Sequence, residues 1–488
     1  MSNQSALILA ILIPLLGGIG ILLLRSAPNL REACTLVSSL VLAFVVYSLL
    51  PKILSGATVS FTFKEILPDL ALEFNVEPLG MVFACIASGL WIINSLYSIG
   101  YMRGNQEGNQ TRFYIYFTIA ISSSMGIAFA GNMFTLFIFY EILTLSTYPL
   151  VAHKQNSDAK SGARIYLGLL IGTSIGFQLV AIIWTYLITG TLDFTPAGIL
   201  KGKIDPTLLP ILLALYMFGI GKAALMPFHR WLPSAMVAPT PVSALLHAVA
   251  VVKAGVFTVL KVVIYIFGIE FLSETGASTW LIWVASFTVL AASIVAITKD
   301  NLKARLAYST ISQLSYIVLG AALANGLGIL GGGLHIATHA VGKITLFMCA
   351  GAIYVATHKT EISEMTGLGR KMPFTFAAFA IGSLSIIGLP PFAGTWSKWY
   401  LALAAANAEI WAVIGIYMLS SLLNVWYLLS IVAKGFFAPA DELSGRLQPK
   451  IQEAPILCVL PPCLTALGCL VLFFFAEHIV ELLRPIAS

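Results

Sequence analysis

Charge is scarce in this chain. Only 10% of its 488 residues are Asp, Glu, Lys or Arg, 59% are hydrophobic, and the mean hydropathy is +0.93. A water-soluble domain carries roughly 25% charged residues, so a single soluble globule is excluded. No polar stretch is long enough for a separate soluble catalytic domain. CxxC pairing is also missing. The six cysteines (Cys34, Cys85, Cys349, Cys458, Cys463, Cys469) lie in or beside apolar runs, which signals neither a disulfide framework nor an iron–sulfur cluster. They read as packing residues. The net charge is +6, but the basic residues stand singly in short loops and form no nucleic-acid patch. No basic residue precedes the run Ala6–Leu24, which is too long for a signal-peptide core and is expected to be a first membrane span.

What is there is hydrocarbon. At about 20 residues per span, the apolar runs predict fourteen helices near 5–24, 33–50, 78–101, 112–130, 132–152, 163–189, 207–228, 240–266, 279–298, 305–323, 326–356, 373–407, 410–433 and 454–476. The expected fold class is therefore an all-α polytopic membrane protein. Helix-breaking sequence interrupts two of these runs, at Met226-Pro227-Phe228-His229-Arg230-Trp231-Leu232-Pro233 and at Gly388-Leu389-Pro390-Pro391. Lys and Arg gather on the cytoplasmic side of membrane proteins. Seventeen fall in odd-numbered loops and six, Lys261 among them, in even-numbered loops and the C-terminus, so both termini are expected on the non-cytoplasmic side.

Four lysines remain inside the apolar runs, Lys222, Lys253, Lys343 and Lys398, together with one clear carboxylate, Glu141. Each such charge costs on the order of 3 kcal/mol at mid-bilayer. A lysine near a helix end can reach the headgroups, but that reading does not cover all five at once. Glu141 needs a cationic partner, and Lys222, beside the first helix break, is the best placed. Weakening that pair would push the lysine toward its neutral form and release a proton; a structural salt bridge would look the same in sequence. His335, His339 and Lys343 recur every fourth residue, on one stripe rising about 12 Å, a spacing suited to stepwise proton transfer. Ser243 and His247 share a face of the run before Lys253. Lys398 follows the second break as Lys222 precedes the first, and two broken helices about 165 residues apart point to duplicated transporter halves.

These motifs resemble the antiporter-like proton-translocating membrane subunits shared by respiratory complex I, membrane-bound hydrogenases and Mrp-type multisubunit cation/proton antiporters. The resemblance rests on Lys222 to Ala254 (KAALMPFHRWLPSAMVAPTPVSALLHAVAVVKA), Asp300 to Tyr316 (DNLKARLAYSTISQLSY), His335 to Lys343, Glu141 and GLPPFAG at Gly388–Gly394, and covers most of 112–433. It implies two inverted five-helix repeats with broken helices 7 and 12, and a division into 1–110 (helices 1–3), 111–268 (first repeat), 278–434 (second repeat) and 435–488 (loop and helix 14). It also implies roles: Glu141 and Lys222 as coupling ion pair, Lys253 with His247 as the next relay, His335, His339 and Lys343 as the central link, Lys398 as the terminal group. The middle complex I subunit has glutamate at this last position and the distal one carries a long lateral helix. Those departures favour a D-type Mrp subunit or a relative, and leave the proximal complex I subunit and a hydrogenase homologue open.

The implied function is transport of protons in exchange for Na+ or another monovalent cation, in a bacterial inner membrane, with other hydrophobic subunits as partners. The alternative is a pumping module of a redox complex. No cofactor or metal is expected in this chain, and no catalytic site of its own. A scaffold whose charges only bind neighbouring subunits is the third reading.

Overall fold

Local sequence writes several helix starts. Asn132, Asn156, Asn301 and Asn325 each stand just ahead of a helical run, and their side-chain oxygens accept from the amides of Thr135, Ala159, Ala304 and Gly328, satisfying donors that a helix start leaves unpaired. Asn301 and Asn325 follow Asn132 and Asn156 at one and the same offset. The computed structural model describes residues 3–67, 70–437 and 451–487. In chain order it contains α1 (Asn3–Leu23), α2 (Pro28–Leu54), β1 (Val59–Leu67), β2 (Leu70–Val76), α3 (Pro78–Gly104), α4 (Gln110–Ala128), α5 (Met133–Val151) and α6 (Ser157–Thr189). There follow α7 (Leu209–Gly219), α8 (Thr240–Phe267), α9 (Thr279–Thr298), α10 (Leu302–Ala322), α11 (Gly326–Thr357), α12 (Pro373–Ile387), α13 (Gly394–Asn407), α14 (Trp411–Phe436) and α15 (Ile456–Ile486).

Among the described residues, ten of these helices are long and apolar enough to cross a membrane: α1, α2, α3, α5, α6, α8, α9, α11, α14 and α15. The helices α4 and α10 fall outside that set, carrying runs such as Ser122-Ser123-Ser124 and basic residues at their starts. The short α7 and α12 are the first arms of the two interrupted segments. Large apolar side chains face outward on α1, α2 and α14, Leu23, Phe44 and Trp426 being the most exposed on each. That surface is stable only against lipid or other apolar partners. Inside, α8 is buried along its whole length and α11 from Gly328 to Ile353, so the two helices that carry the buried Lys253, Lys261, His247, His335, His339 and Lys343 form the axis of the bundle.

Two expectations about this architecture need correction. The segment 59–76 is not simply a loop between helices: β1 and β2 pair antiparallel with Phe61 opposite Phe74 and Val59 opposite Val76. Backbone bonds from Asn75 to Phe129 and from Gly131 to Glu73 tie the hairpin to the α4–α5 junction and define the hairpin end of the bundle. Second, Lys261 does not lie in a loop; it sits within α8, only 1% exposed. Arg31, Lys52, Arg103, Arg112, Lys303 and Arg305, all counted as loop residues, also lie within helix ends. Arg446 and Lys450 of the charge count lie outside the described residues.

The interruptions fall where proline and glycine forbid a continuous helix. After α7 the chain unwinds from Ile220, with one tight turn at Gly221–Ala223 and Ala224 in the left-handed region at φ 55°, before a short helix at Trp231–Ser234. Lys222 is therefore inside the unwound segment, not on the helix before it. The second interruption begins at Gly388, whose φ of 90° suits glycine, and ends where α13 starts.

Candidate functional site

Unwound backbone and a lysine meet first at Lys222. Its amide donates to the Tyr140 hydroxyl at 3.1 Å, and its Nζ donates to the Tyr140 carbonyl at 2.9 Å and to Thr144 Oγ1 at 2.5 Å. The ammonium also lies 3.1 Å from the centroid of the Tyr140 ring, a cation–π contact. The expected Glu141–Lys222 ion pair is not formed. Neither carboxylate oxygen of Glu141 has a hydrogen-bond partner among the described residues although both are shielded from solvent. The reason is helical geometry: Tyr140 and Thr144 are buried on the inner face of α5 while Glu141 turns toward its edge, next to the exposed Ile142 and Leu145.

Close packing sets this position. A Cβ on Gly255 of α8 would lie 2.3 Å from the backbone of Lys222 and Ala223, so glycine alone lets α8 approach the unwound strand. We expect Gly255→Ala to displace that strand and lower stability by about 1–3 kcal/mol, read as a fall in the thermal midpoint of the purified protein and a parallel fall in transport. From Thr144, hydroxyls continue inward. Thr147 Oγ1 donates to the Thr144 carbonyl and lies 2.5 Å from the Tyr166 hydroxyl, and Tyr166 meets His247 ring to ring at 6.3 Å. Both nitrogens of His247 lack partners among the described residues.

A direct side-chain contact joins the two axial helices. Lys253 Nζ of α8 lies 2.6 Å from His339 Nδ1 of α11. One turn along α11, His335 faces His339 at 5.6 Å between ring centroids; its Nδ1 lies 2.8 Å from Ser397 Oγ, and its ring stacks on Tyr316. Lys398 completes the group, with Nζ 4.9 Å from the centre of the Tyr316 ring and donating to the Ile387 carbonyl and Ser421 Oγ, both at 2.9 Å. The Ile387 carbonyl is left without an in-helix donor by the interruption. Beside Lys398 a cavity of about 720 Å³ is lined by Trp396, Trp399, Met418 and Leu422, which reach the bundle surface.

Lys343 belongs to a branch. Its Nζ donates to Ser309 Oγ at 2.6 Å and to the Leu306 carbonyl at 3.4 Å, and Ser309 accepts from the Tyr427 hydroxyl at 2.9 Å, itself bonded to Asn424. Ser293, Ser312 and Ser420 form a triangle of hydroxyls 2.9–3.4 Å apart, and Ser421, next in sequence, holds Lys398. Thus Lys343, through Ser309 and Tyr427, and Lys398, through Ser421, both reach polar side chains of α14. Sequence reasoning missed these groups, although Tyr417, Ser420, Asn424 and Tyr427 recur at three- and four-residue steps along one face. Four ion pairs occur among the described residues, and none involves Lys222, Lys253, Lys343 or Lys398. The arrangement is a buried succession of amines, imidazoles and hydroxyls, some in direct hydrogen-bond contact and others, such as Tyr166 and His247, only ring to ring. No group of three or more His, Cys, Asp or Glu that could bind a metal ion occurs among the described residues.

Residues 130–424 match the family described as NADH:quinone oxidoreductase/Mrp antiporter, TM. NADH-quinone oxidoreductase subunit N of Desulforudis audaxviator is 29% identical over 97% of this chain and 96% of its own length. The A-type subunit of the Na(+)/H(+) antiporter of Alkalihalophilus pseudofirmus is 30% identical over 86% of this chain, which spans about half, 54%, of that longer protein. Among solved structures, the Mrp complex from Dietzia sp. contains a chain of the same fold, with TM-score 0.88, 21% identity and coverage of 100% of this chain and 97% of that one. A chain of the membrane-bound sulfane sulfur reductase, an archaeal respiratory membrane complex, matches with TM-score 0.87 and 25% identity over 98% and 96%.

Proposed function

The chain belongs to the NADH:quinone oxidoreductase/Mrp antiporter transmembrane family, and on that premise we propose that it is a proton-translocating subunit of a multisubunit monovalent cation (Na+)/H+ antiporter. The observation that carries the reading is the Lys253–His339 contact at 2.6 Å, which links α8 to α11 at the centre of the bundle. In the proposed cycle the field of Glu141 changes when a neighbouring subunit or a proton approaches it. Lys222 then loses or gains its hold on Thr144 and Tyr140 and exchanges a proton through Thr147 and Tyr166 with His247. Lys253, His339 and His335 carry the charge across to Lys398, and Lys343 joins the same file through Ser309 and the α14 hydroxyls. None of the four lysines has a carboxylate counterion among the described residues, so the field of neighbouring groups decides which of them holds the proton.

The same reading takes the chain to cross a bacterial inner membrane fourteen times, with residues 111–268 and 278–434 as inverted repeats; the recurrence of the Asn caps supports it. Lysine and arginine counts make the hairpin end non-cytoplasmic. A redox-driven complex is the second reading, favoured by the full-length likeness to an NADH-quinone oxidoreductase subunit. Adding Na+, K+ and Li+ in turn to everted vesicles that hold the whole complex tests the first: dissipation of ΔpH by one of these ions supports exchange. Co-purifying hydrophilic iron–sulfur subunits, with no cation response, would move the assignment to the second.

Lys398 offers a graded test. Lys398→Glu is expected to keep more transport than Lys398→Ala, because a carboxylate can still accept a proton from the Ser421 side while alanine ends the file. Initial ΔpH rates of the two variants at matched protein level decide it, and equal rates would remove Lys398 from the path.

A further inference from the structure

Outside the file just described lies a second buried acid–base pair. Lys261 Nζ, on α8 two turns beyond Lys253, is 2.8 Å from Glu77 Oε1, and the Tyr265 hydroxyl donates to the other oxygen of the same carboxylate. Glu77 stands immediately before α3 in the capping position, yet its side chain makes no cap bond, which leaves the carboxylate to the lysine. Three rings surround the ammonium: Phe194 at 4.2 Å, Tyr265 at 4.8 Å and Phe257 at 5.7 Å from their centroids. Phe257 stands at the fourth residue from both Lys253 and Lys261, and so lies between them on the helix. Its ring rests on Phe83 of α3 at 5.2 Å. Such an apolar constriction excludes water while the rings are together.

On the other side of the pair, Phe194 is followed outward by Asp193, which together with Glu73 and Glu65 lines a pocket of about 490 Å³ under the hairpin. Burial, with Asp193 nearby, raises the Glu73 carboxyl above its ordinary range, so this vestibule can itself carry a proton. The last turns of α8, Val262–Phe267, are wound as π-helix, a form that recurs at functional positions.

We propose that Glu77 and Lys261 form the proton-exchange site at the hairpin end of this chain, separated from Lys253 by a Phe83–Phe257 gate that conducts only when wetted. The proposal rests on the proton-translocating reading above. In the step, the Lys261 ammonium gives a proton to the Glu77 carboxylate, leaving a neutral amine and a neutral acid. Glu77 then loses that proton to water in the vestibule. Water entering between the phenyl rings lets the Lys253 ammonium reprotonate Lys261, and Lys253 is reloaded from His339. The reverse order carries a proton inward.

The test uses the complete complex in everted vesicles. Glu77→Gln with Lys261→Met removes both charges at once and leaves no orphan ion, a change that buried pairs tolerate. The double variant is expected at normal abundance with proton transport reduced about tenfold or more. Phe257→Ala, and separately Phe83→Ala, are expected to do the opposite and speed the passive decay of an imposed ΔpH several-fold without any driving cation. Transport at the wild-type rate in the double variant would overturn the proposal. So would loss of the double variant from the membrane, which makes the pair structural, or the absence of a leak in both phenylalanine variants. Failure of the parent reading looks different: transport would then survive Lys253→Met.

Discussion

Lys253→Met is expected to abolish proton-coupled transport, lowering the initial rate of ΔpH change by about a hundredfold, in the range associated with loss of one positioned proton carrier, while the protein stays in the membrane at its normal level. Methionine has nearly the length and shape of the lysine stem, so packing around α8 is kept. Removing an ammonium that has no carboxylate partner also relieves the penalty of a buried charge. What disappears is the 2.6 Å contact with His339, the one direct side-chain bond seen between the α8 and α11 parts of the file. Everted-vesicle assays, with abundance checked by immunoblot, measure it. A rate within threefold of the parent protein would mean that protons pass elsewhere, and His339→Leu should then be silent as well.

Ten of the apolar runs named from the sequence are membrane-length helices among the described residues, because some twenty consecutive hydrocarbon side chains leave the backbone no partner but itself. The interruptions were equally legible, since proline and glycine act locally. What the sequence did not disclose depends on which groups meet across helices. Counting charges paired Glu141 with Lys222 because each lacked a partner; the structure instead holds Lys222 on a carbonyl and a hydroxyl of α5, acceptors that carry no formal charge and so leave no trace in a charge count. Lys261 was placed in a loop because it stands near the end of an apolar run. Its true partner, Glu77, is far away in sequence and was itself read as a loop residue. The hairpin escaped for a related reason: Val59–Val76 is short and mixed in polarity beside membrane-length helices, and its alternation is readable only once helices are set aside. The polar groups of α14 carry no sequence signal by themselves; they gain meaning only from neighbours on other helices, Ser421 holding Lys398 and Tyr427 meeting the Ser309 that holds Lys343.

Lys222→Arg is the second decisive substitution, because it separates a charge that must be present from a proton that must move. Arginine keeps the positive charge and can donate to the Tyr140 carbonyl and Thr144, so a purely structural cation in the unwound stretch after α7 would be replaced with little loss. Its guanidinium does not deprotonate in proteins. If Lys222 passes a proton on, Lys222→Arg should therefore be as inactive as Lys222→Ala, each about a hundredfold below the parent rate, with both proteins assembled. Thr144→Val should be milder, since the Tyr140 carbonyl still accepts from the amine. The decisive comparison is the ΔpH rate of Lys222→Arg against that of Lys222→Ala at equal abundance. A clear advantage for arginine would make Lys222 a fixed electrostatic element and shift the start of the proton path to His247.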